Sequence, residues 1–258
     1  FLSEEIGLSL SPKFIDIDND DDQDLFIGDY NGKIRFYRNN GTLENQNFND
    51  EGYLDDIDLG FFSIPEFVDI DNDGDYDMFI GSYSEGIYYF ENTGNSIDPI
   101  FIESIFSIEG LSDIYRTAPR FIDLDKDNDY DLVVGTASDG LLIYWNIGTQ
   151  SDYSFSKDEC IDAPFYGNNI KPWIGDLNNT QTLDLIIGIS TGGFLHYLVS
   201  SMGDINSDNN LDILDLITIV DHIISQSSAF ISICGIDMNH DDLLDISDVI
   251  LLLNIIIG

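Results

Sequence analysis

The feature that most constrains the fold is a short segment that occurs four times along the chain at a nearly constant interval. The four copies are PKFIDIDNDDDQDLFIG, PEFVDIDNDGDYDMFIG, PRFIDLDKDNDYDLVVG and PWIGDLNNTQTLDLIIG, which start at Pro12, Pro65, Pro119 and Pro172. Their prolines are separated by 53, 54 and 53 residues. A period of about fifty residues in an all-β unit is typical of propeller blades. The chain therefore consists largely of one structural unit repeated four times.

Each copy has the composition of two paired strands. Runs such as Leu25–Ile27 are apolar at consecutive positions, as in a strand buried on both faces, and a glycine turn then leads into an aromatic-rich strand. Each copy is preceded by a segment that begins with phenylalanine, at Phe1, Phe48, Phe101 and Phe155. We therefore expect four complete units, and predict a mainly β chain with a four-bladed β-propeller over residues 1–200. An arc cut from a longer propeller is the alternative.

The charge balance excludes some partners. The chain has 49 acidic and 9 basic side chains, a formal net charge of −40. This excess disfavours nucleic acids and anionic membranes, because a protein that binds phosphates needs lysine and arginine. The longest apolar stretch, Val249–Ile257, is too short to span a bilayer. Since the chain starts at Phe1 without a methionine or a leader, we expect a processed or trimmed product.

Within the first three copies, aspartates occupy alternate positions of a short loop. These candidate ligands are Asp16, Asp18, Asp20, Asp22 and Asp24; Asp69, Asp71, Asp73, Asp75 and Asp77; and Asp123, Asp125, Asp127, Asp129 and Asp131. So many like charges repel strongly unless a cation lies among them. Oxygen ligands at loop positions 1, 3, 5, 7 and 9 suit Ca²⁺. We expect position 7 to contribute its backbone carbonyl and to turn its side chain outward.

Position 6 of such a loop usually has a left-handed backbone. The residues there, Asp21, Gly74 and Asn128, tolerate that conformation. In the fourth copy position 6 is a glutamine, and the candidate ligands are reduced to Asp176, Asn178, Thr180 and Asp184. The fourth loop is expected to bind calcium most weakly or not at all.

The whole pattern, PxFxDIDxDGDxDLxIG followed by a hairpin and YFENTG, resembles the FG-GAP/VCBS repeats of integrin-like and bacterial surface propellers. The resemblance covers roughly residues 1–200, and three of the four loops match closely. It implies a secreted, calcium-binding propeller associated with the cell surface. The alternative to a ligand-binding role is that the ions only hold loops between strands.

A different repeat follows in residues 201–258. Two copies of one pattern lie 33 residues apart and place polar residues at the EF-hand positions 1, 3, 5, 7, 9 and 12. The candidate ligands are Asp204, Asn206, Asp208, Asn210, Asp212 and Asp215 in the first loop, and Asp237, Asn239, Asp241, Leu243, Asp245 and Asp248 in the second. Each loop leads into an apolar helix.

This duplicated half EF-hand resembles a type I dockerin. The resemblance implies docking onto a cohesin-like receptor, although loop positions 10 and 11, Ile213–Leu214 and Ile246–Ser247, depart from the polar pair common in cellulosomal dockerins. The second helix is almost wholly apolar, so it either packs on the first helix and the propeller or forms a partner surface.

These patterns predict five calcium sites and a sixth, weaker one. We expect a non-enzymatic, calcium-binding extracellular protein with a structural or adhesion role, in which the propeller acts as a binding or scaffold module and the C-terminal unit mediates protein docking or assembly. The alternatives are a self-assembling fibre or surface-layer subunit that docks on a neighbouring subunit, and a dockerin-bearing enzyme that degrades polysaccharides. Carbohydrate is a further candidate ligand of the propeller. Cys160 and Cys234 form either a disulfide or two unrelated buried thiols.

Overall fold

The structure is a computed structural model, which describes residues 7–54, 57–158, 169–177, 183–188, 190, 192–199, 203–204, 211–225, 237–239 and 243–257. Four antiparallel sheets follow one another along the chain, and strands adjacent in sequence are paired within each sheet. The first sheet contains β1 (Ser11–Ile15), β2 (Asp24–Gly28), β3 (Ile34–Asn39) and β4 (Phe48–Tyr53). The second contains β5 (Ile64–Val68), β6 (Asp77–Gly81), β7 (Ile87–Asn92) and β8 (Phe101–Ser104). The third contains β9 (Ala118–Ile122), β10 (Asp131–Gly135), β11 (Leu141–Asn146) and β12 (Phe155–Lys157). The fourth contains β13 (Lys171–Gly175), β14 (Leu183–Gly188) and β15 (Phe194–Val199).

The sheets form a four-bladed propeller arrangement. Their innermost strands β1, β5, β9 and β13 contact one another in that order. The Lys171 amine donates a hydrogen bond of 3.2 Å to the Ser11 hydroxyl, which joins the fourth innermost strand to the first. The predicted mainly β propeller of four blades is therefore confirmed.

Apolar residues of the second strand in each blade pack in two directions. Met78 and Ile80 pack with the first blade, whereas Phe79 on the same strand packs with Leu132 of the third. All five residues of β6 are buried, as are those of β2 and β10. A strand that is buried on both faces needs consecutive apolar residues, and this explains the unbroken apolar run in each repeat.

The glycine that ends each run permits close approach of the next blade. A Cβ added at Gly28 would lie 2.1 Å from the Ser63 carbonyl oxygen, and one at Gly81 would lie 2.2 Å from that of Thr117. At Gly188, by contrast, the nearest atom would be the Lys171 carbonyl oxygen of the same blade, at 3.7 Å. Packing against the next blade thus requires glycine at Gly28 and Gly81, but not at Gly188.

One expectation about the repeat boundaries is wrong. The segments that begin at Phe48, Phe101 and Phe155 do not open the blade that follows, because they pair as outermost strands with β3, β7 and β11 of the preceding blade. A short turn makes this pairing local. The segment at Phe1 lies outside the described residues.

The C-terminal unit contains two helices, α1 (Ile213–Ser225) and α2 (Ile246–Ile257). Ile219 of α1 and Leu252 of α2 are fully buried and pack together with Met238 and Val249. The apolar second helix is therefore covered by the first on one side. Neither helix has the length and apolar content required to cross a membrane, within the part of the chain that is described.

Candidate metal centres

The three aspartate-rich loops connect the innermost strand of a blade to its second strand. In each loop the side chains at positions 1, 3 and 5 converge, with one carboxylate oxygen of each within 4.8 Å of the other two. The three clusters are Asp16, Asp18 and Asp20; Asp69, Asp71 and Asp73; and Asp123, Asp125 and Asp127. Three carboxylates at this separation form a strongly negative, oxygen-only site.

The first aspartate of each loop also shapes the backbone. The two carboxylate oxygens of Asp16 accept hydrogen bonds from the backbone N–H groups of Asp20 and Asp21, at 3.1 and 3.0 Å. Asp69 makes the equivalent bonds with Asp73 and Gly74, both at 3.1 Å. These bonds hold the loop in a tight turn around the cluster.

Two residues of each loop have a left-handed backbone. The expectation for position 6 is confirmed, since φ is 69° at Asp21, 95° at Gly74 and 76° at Asn128. Position 4 is left-handed as well, with φ of 57° at Asn19 and 68° at Lys126. Asparagine and glycine suit these positions, whereas lysine does so at some cost.

The expected orientation of position 7 is wrong. The side chains of Asp22, Asp75 and Asp129 point inward and are 3%, 9% and 5% exposed. The next strand begins two residues later, so the alternation of the backbone directs this side chain toward the cluster. Position 7 can therefore offer a carboxylate as well as a carbonyl.

Several buried oxygens of these loops have no hydrogen-bond donor. Among the described residues, the Oδ1 atoms of Asp18, Asp22, Asp75, Asp123 and Asp129 lack a partner. Burial, followed by the charges of neighbouring aspartates, raises the pKa of Asp75 to about 6 and that of Asp129 to about 7. Buried carboxylate oxygens without donors are costly. A cation bound among them would remove that cost.

Position 9 has a different environment. Asp24 accepts hydrogen bonds from the backbone N–H groups of Asn39 and Ile17, at 2.6 and 3.3 Å. Asp131 accepts the corresponding bonds from Asn146 and Leu124, at 2.9 and 2.8 Å. These aspartates therefore tie the loop to the third strand of the blade, and their coordination of metal remains a prediction.

Burial dominates the ionisation of the same aspartates. It raises the pKa of Asp24 to about 6, that of Asp77 to about 7 and that of Asp131 to about 8, although hydrogen bonds from backbone N–H groups oppose the shift. In a metal-free propeller these carboxyl groups therefore lose their protons at a higher pH than ordinary aspartates do.

A basic residue that the sequence pattern did not indicate contacts the first loop. Arg38 forms an ion pair with Asp18 through Oδ2. The strands align Arg38 with Glu91 in the second blade and Trp145 in the third. The signal was a change of charge at one repeat position, next to the asparagine that ends the third strand in each of the first three blades. The three loops are therefore not electrostatically equivalent.

The fourth loop is only partly described. Asp184 is buried and accepts a hydrogen bond of 2.9 Å from the Leu177 N–H, and its other oxygen lies 2.6 Å from His196 Nε2. Asp176 is exposed. Asn178 and Thr180 lie outside the described residues.

In the C-terminal unit, positions 9 and 12 form the start of each helix. Oδ1 of Asp212 accepts a hydrogen bond from the Leu214 N–H at 2.7 Å, and Oδ2 of Asp215 accepts one from the Asp212 N–H at 2.9 Å. This reciprocal arrangement is a capping box, and Asp245 and Asp248 repeat it at α2. Asp215 and Asp248 are fully buried.

Position 1 of the second loop, Asp237, is also buried, and the neighbouring Met238 N–H donates to Oδ1 of Asp248 at 2.8 Å. Asp204, Asn239 and Leu243 are described as well. Asn206, Asp208, Asn210 and Asp241 lie outside the described residues, as do Cys160 and Cys234.

The residues of the three propeller loops suit calcium better than a softer metal. All candidate ligands are oxygens, the clusters lack histidine and cysteine, and buried oxygens face them without donors. Ca²⁺ accepts six to eight oxygen ligands in a flexible geometry, whereas zinc prefers nitrogen and sulfur. When bound, calcium would neutralise the clusters and link the innermost and second strands.

Comparison with known proteins adds little beyond this geometry. No protein-family model matches the chain, and no curated protein matches it. Among solved structures, it is similar to a chain of the Photorhabdus luminescens Tc holotoxin pore, with a TM-score of 0.39 and 14% identity. That similarity covers 72% of this chain but only 9% of the toxin chain.

Proposed function

We propose that this chain is an extracellular, non-catalytic binding or scaffold protein whose propeller is held rigid by calcium. The observation that carries the proposal is the convergence of three carboxylates in each of three loops, beside buried oxygens that lack donors. The resemblance of the repeats to FG-GAP/VCBS propellers supports the same function. A cell-surface location suits calcium loops, because extracellular modules work at millimolar calcium.

The test is calcium-dependent stability in matched variants. Asp71→Asn removes a carboxylate from the second cluster, whereas Asp21→Asn changes an exposed loop aspartate that is not a candidate ligand and retains a left-handed backbone. Calcium should raise the melting temperature of the unmodified chain strongly, that of Asp21→Asn as much, and that of Asp71→Asn less. Equal melting temperatures in calcium and in EGTA would refute the proposal.

We propose further that the C-terminal unit, which resembles a type I dockerin, docks the propeller onto a cohesin-like receptor domain. Exposed apolar side chains on both helices favour this function. They include Ile213, Leu214, Ile217 and Ile224 on α1, and Ile246, Ile250 and Ile257 on α2. Helix faces with so many apolar side chains are typical of protein interfaces.

Ile217→Asp and Ile250→Asp should abolish binding to a cohesin domain without lowering the calcium-bound melting temperature. Lys157→Asp, on the outermost strand of the third blade, serves as the control. Sedimentation of the chain alone tests whether these helices bind a neighbouring subunit instead of a cohesin-like receptor. If the unmodified chain forms calcium-dependent polymers and the same two variants do not, the binding partner is a neighbouring subunit and not a receptor.

A further inference from the structure

The end of the propeller opposite the aspartate loops has a different chemistry. Since strands alternate in direction, the hairpins between the second and third strands meet there with the residues that precede each innermost strand. The Phe62 N–H donates to the Tyr30 carbonyl at 3.0 Å, and the Arg116 N–H donates to that of Tyr83 at 3.1 Å. The Asn169 N–H bonds to Ala137 in the same way, at 3.2 Å. We call this end the axial mouth.

The axial mouth surrounds a recess of about 300 Å³. Phe62, Ser82, Arg116, Asn169 and Lys171 contribute to its lining. It is therefore formed by residues of all the junctions between successive blades rather than by one blade.

Aromatic side chains form a continuous surface beside this recess. Tyr30 lies 4.9 Å from Phe62 and 5.8 Å from Phe61, and Tyr83 lies 6.1 Å from Phe61 and 6.2 Å from Tyr115, measured between ring centroids. Tyr30, Phe61, Tyr83 and Tyr115 are 38%, 52%, 37% and 53% exposed. Exposed rings in a contiguous row are a surface on which flat apolar ligand faces can stack.

Cations are concentrated along the same axis although the protein is strongly acidic. The four innermost strands carry Lys13, Arg120 and Lys171 but only one carboxylate, Glu66. Lys13 and Arg120 both pair with Glu66, and the Lys13 bond is 2.7 Å long. Lys171, together with Arg116 just before β9, remains for other partners.

Neither Arg116 nor Lys171 has a carboxylate partner among the described residues. Arg116 lies over the rings of Phe62 and Tyr83, at 4.9 and 5.2 Å, and donates a hydrogen bond of 2.6 Å to the Asn169 side chain. Loss of solvent and the charge of Arg120 lower the pKa of Lys171, a shift opposite to that produced by an ion pair. Asp29, the buried acid at this end of the first blade, does not pair with either cation. It accepts hydrogen bonds from the backbone N–H groups of Asn31 and Lys33.

The large side chains at the axial mouth are not required by the repeat. The residue three positions before each proline is left-handed, with φ of 53° at Ser9, 50° at Phe62, 52° at Arg116 and 58° at Asn169. Serine and asparagine fill two of these positions, and asparagine tolerates the conformation well, whereas a bulky side chain is strained there. Likewise, Ala137 stands in the third hairpin where Tyr30 and Tyr83 stand in the first two. The fold therefore accepts small residues at these positions, and the bulky side chains of Phe62 and Arg116 are candidates for a binding role.

We propose that the axial mouth binds an acidic carbohydrate, whose sugar rings stack on the exposed aromatics while a carboxylate pairs with Arg116 and Lys171. The ligand needs both properties, because the row of exposed rings offers stacking and the two cations without a carboxylate partner offer ion pairing. The site uses no residue of the aspartate loops, so it is independent of how those loops bind metal.

The test is titration of the full chain in calcium-containing buffer with a β-1,4-linked glucuronate tetrasaccharide. Its carboxyl-reduced counterpart, the neutral glucose tetrasaccharide, is the matched ligand. We expect the acidic sugar to bind at least tenfold more tightly, with an affinity that falls as sodium chloride is raised. Equal affinity for the two sugars, or no binding of the acidic sugar at millimolar concentration, would overturn the proposal.

Variants of single residues test whether the sugar binds at the axial mouth. Arg116→Gln should lower the affinity about tenfold, and Tyr115→Ala, which removes an exposed ring, about fivefold. Lys157→Gln, which removes a charge from an outermost strand, should leave it unchanged. Equal affinity in Arg116→Gln and the unmodified chain would refute the site even if the sugar binds. If hexaglutamate binds more tightly than the acidic sugar, the ligand is an acidic peptide, and the proposed carbohydrate class is refuted.

Discussion

Arg38 pairs with Asp18 in the first carboxylate loop, at the strand position where the second blade has Glu91. The charge of Glu91 contributes to a raised pKa of Asp71, after burial and the neighbouring loop aspartates. The same backbone thus presents a partly neutralised cluster in one blade and a more negative cluster in the next.

Arg38→Gln should therefore strengthen calcium binding by the first loop. Removing one positive charge near a divalent cation is expected to contribute about 1 kcal/mol at a partly exposed site, or roughly a fivefold change in affinity. Calorimetry of this variant against Lys33→Gln, which removes a half-buried cation from the hairpin between β2 and β3, measures the effect. An unchanged or weaker first-loop affinity would contradict the electrostatic difference between the blades.

Stability of the metal-free protein should fall as the pH rises from about 4 to 8. Burial raises the pKa of Asp77 and Asp129 to about 7 and that of Asp131 to about 8, so the folded state binds more protons than the unfolded state in this range. These three groups make their full stabilising contribution below the unfolded pKa of 3.8. That contribution is lost as the pH rises through their pKa values in the folded state.

Thermal unfolding of chelator-treated protein at several pH values checks this slope. Saturating calcium should reduce or reverse it, because calcium competes with protons for the loop carboxylates. A melting temperature of the metal-free protein that rises between pH 5 and 8 would be the contrary result.

Packing between blades should be sensitive to the glycine that closes each repeat. Gly81→Ala places a methyl group 2.2 Å from the Thr117 carbonyl oxygen, and we expect a loss of about 3 kcal/mol in the free energy of unfolding. Gly188→Ala, with 3.7 Å to the nearest atom, is the matched control and should cost much less. Urea denaturation measures both, and similar losses would show that the glycines serve another purpose.

The ion pairs at the propeller axis should stabilise the ring. Glu66→Gln leaves Lys13 and Arg120 without their carboxylate, and we expect a loss of about 2 kcal/mol because Glu66 is only 4% exposed. Glu103→Gln, on the outermost strand of the second blade, should have almost no effect on urea denaturation. A Glu66 variant as stable as this control would show that the axis needs no ion pair.

The sequence was most informative where one physical requirement recurs in each copy. The proline at the second position of β1, β5, β9 and β13, the consecutive apolar residues and the closing glycine predicted the paired strands, since each follows from burial or close packing. The partner of the strand that begins at Phe48 was assigned to the wrong blade, because an apolar pattern does not show on which side a strand pairs.

The candidate sites were predicted only in part. Alternating aspartates indicated the carboxylate clusters, but the inward direction of Asp22 depends on where β2 begins, which a ligand-spacing argument does not fix. The axial mouth was missed because it is formed by residues at which the copies differ, such as Phe62 and Arg116. A search of the repeats for positions that depart from the pattern would have indicated it.

Calcium content per chain tests the central claim most directly. Native mass spectrometry of protein saturated with calcium and freed of excess metal should show at least five ions, three in the propeller loops and two in the C-terminal unit. The variant Asp71→Asn should lose one of them, and Asp21→Asn none. Two or fewer calcium ions per chain would contradict the account.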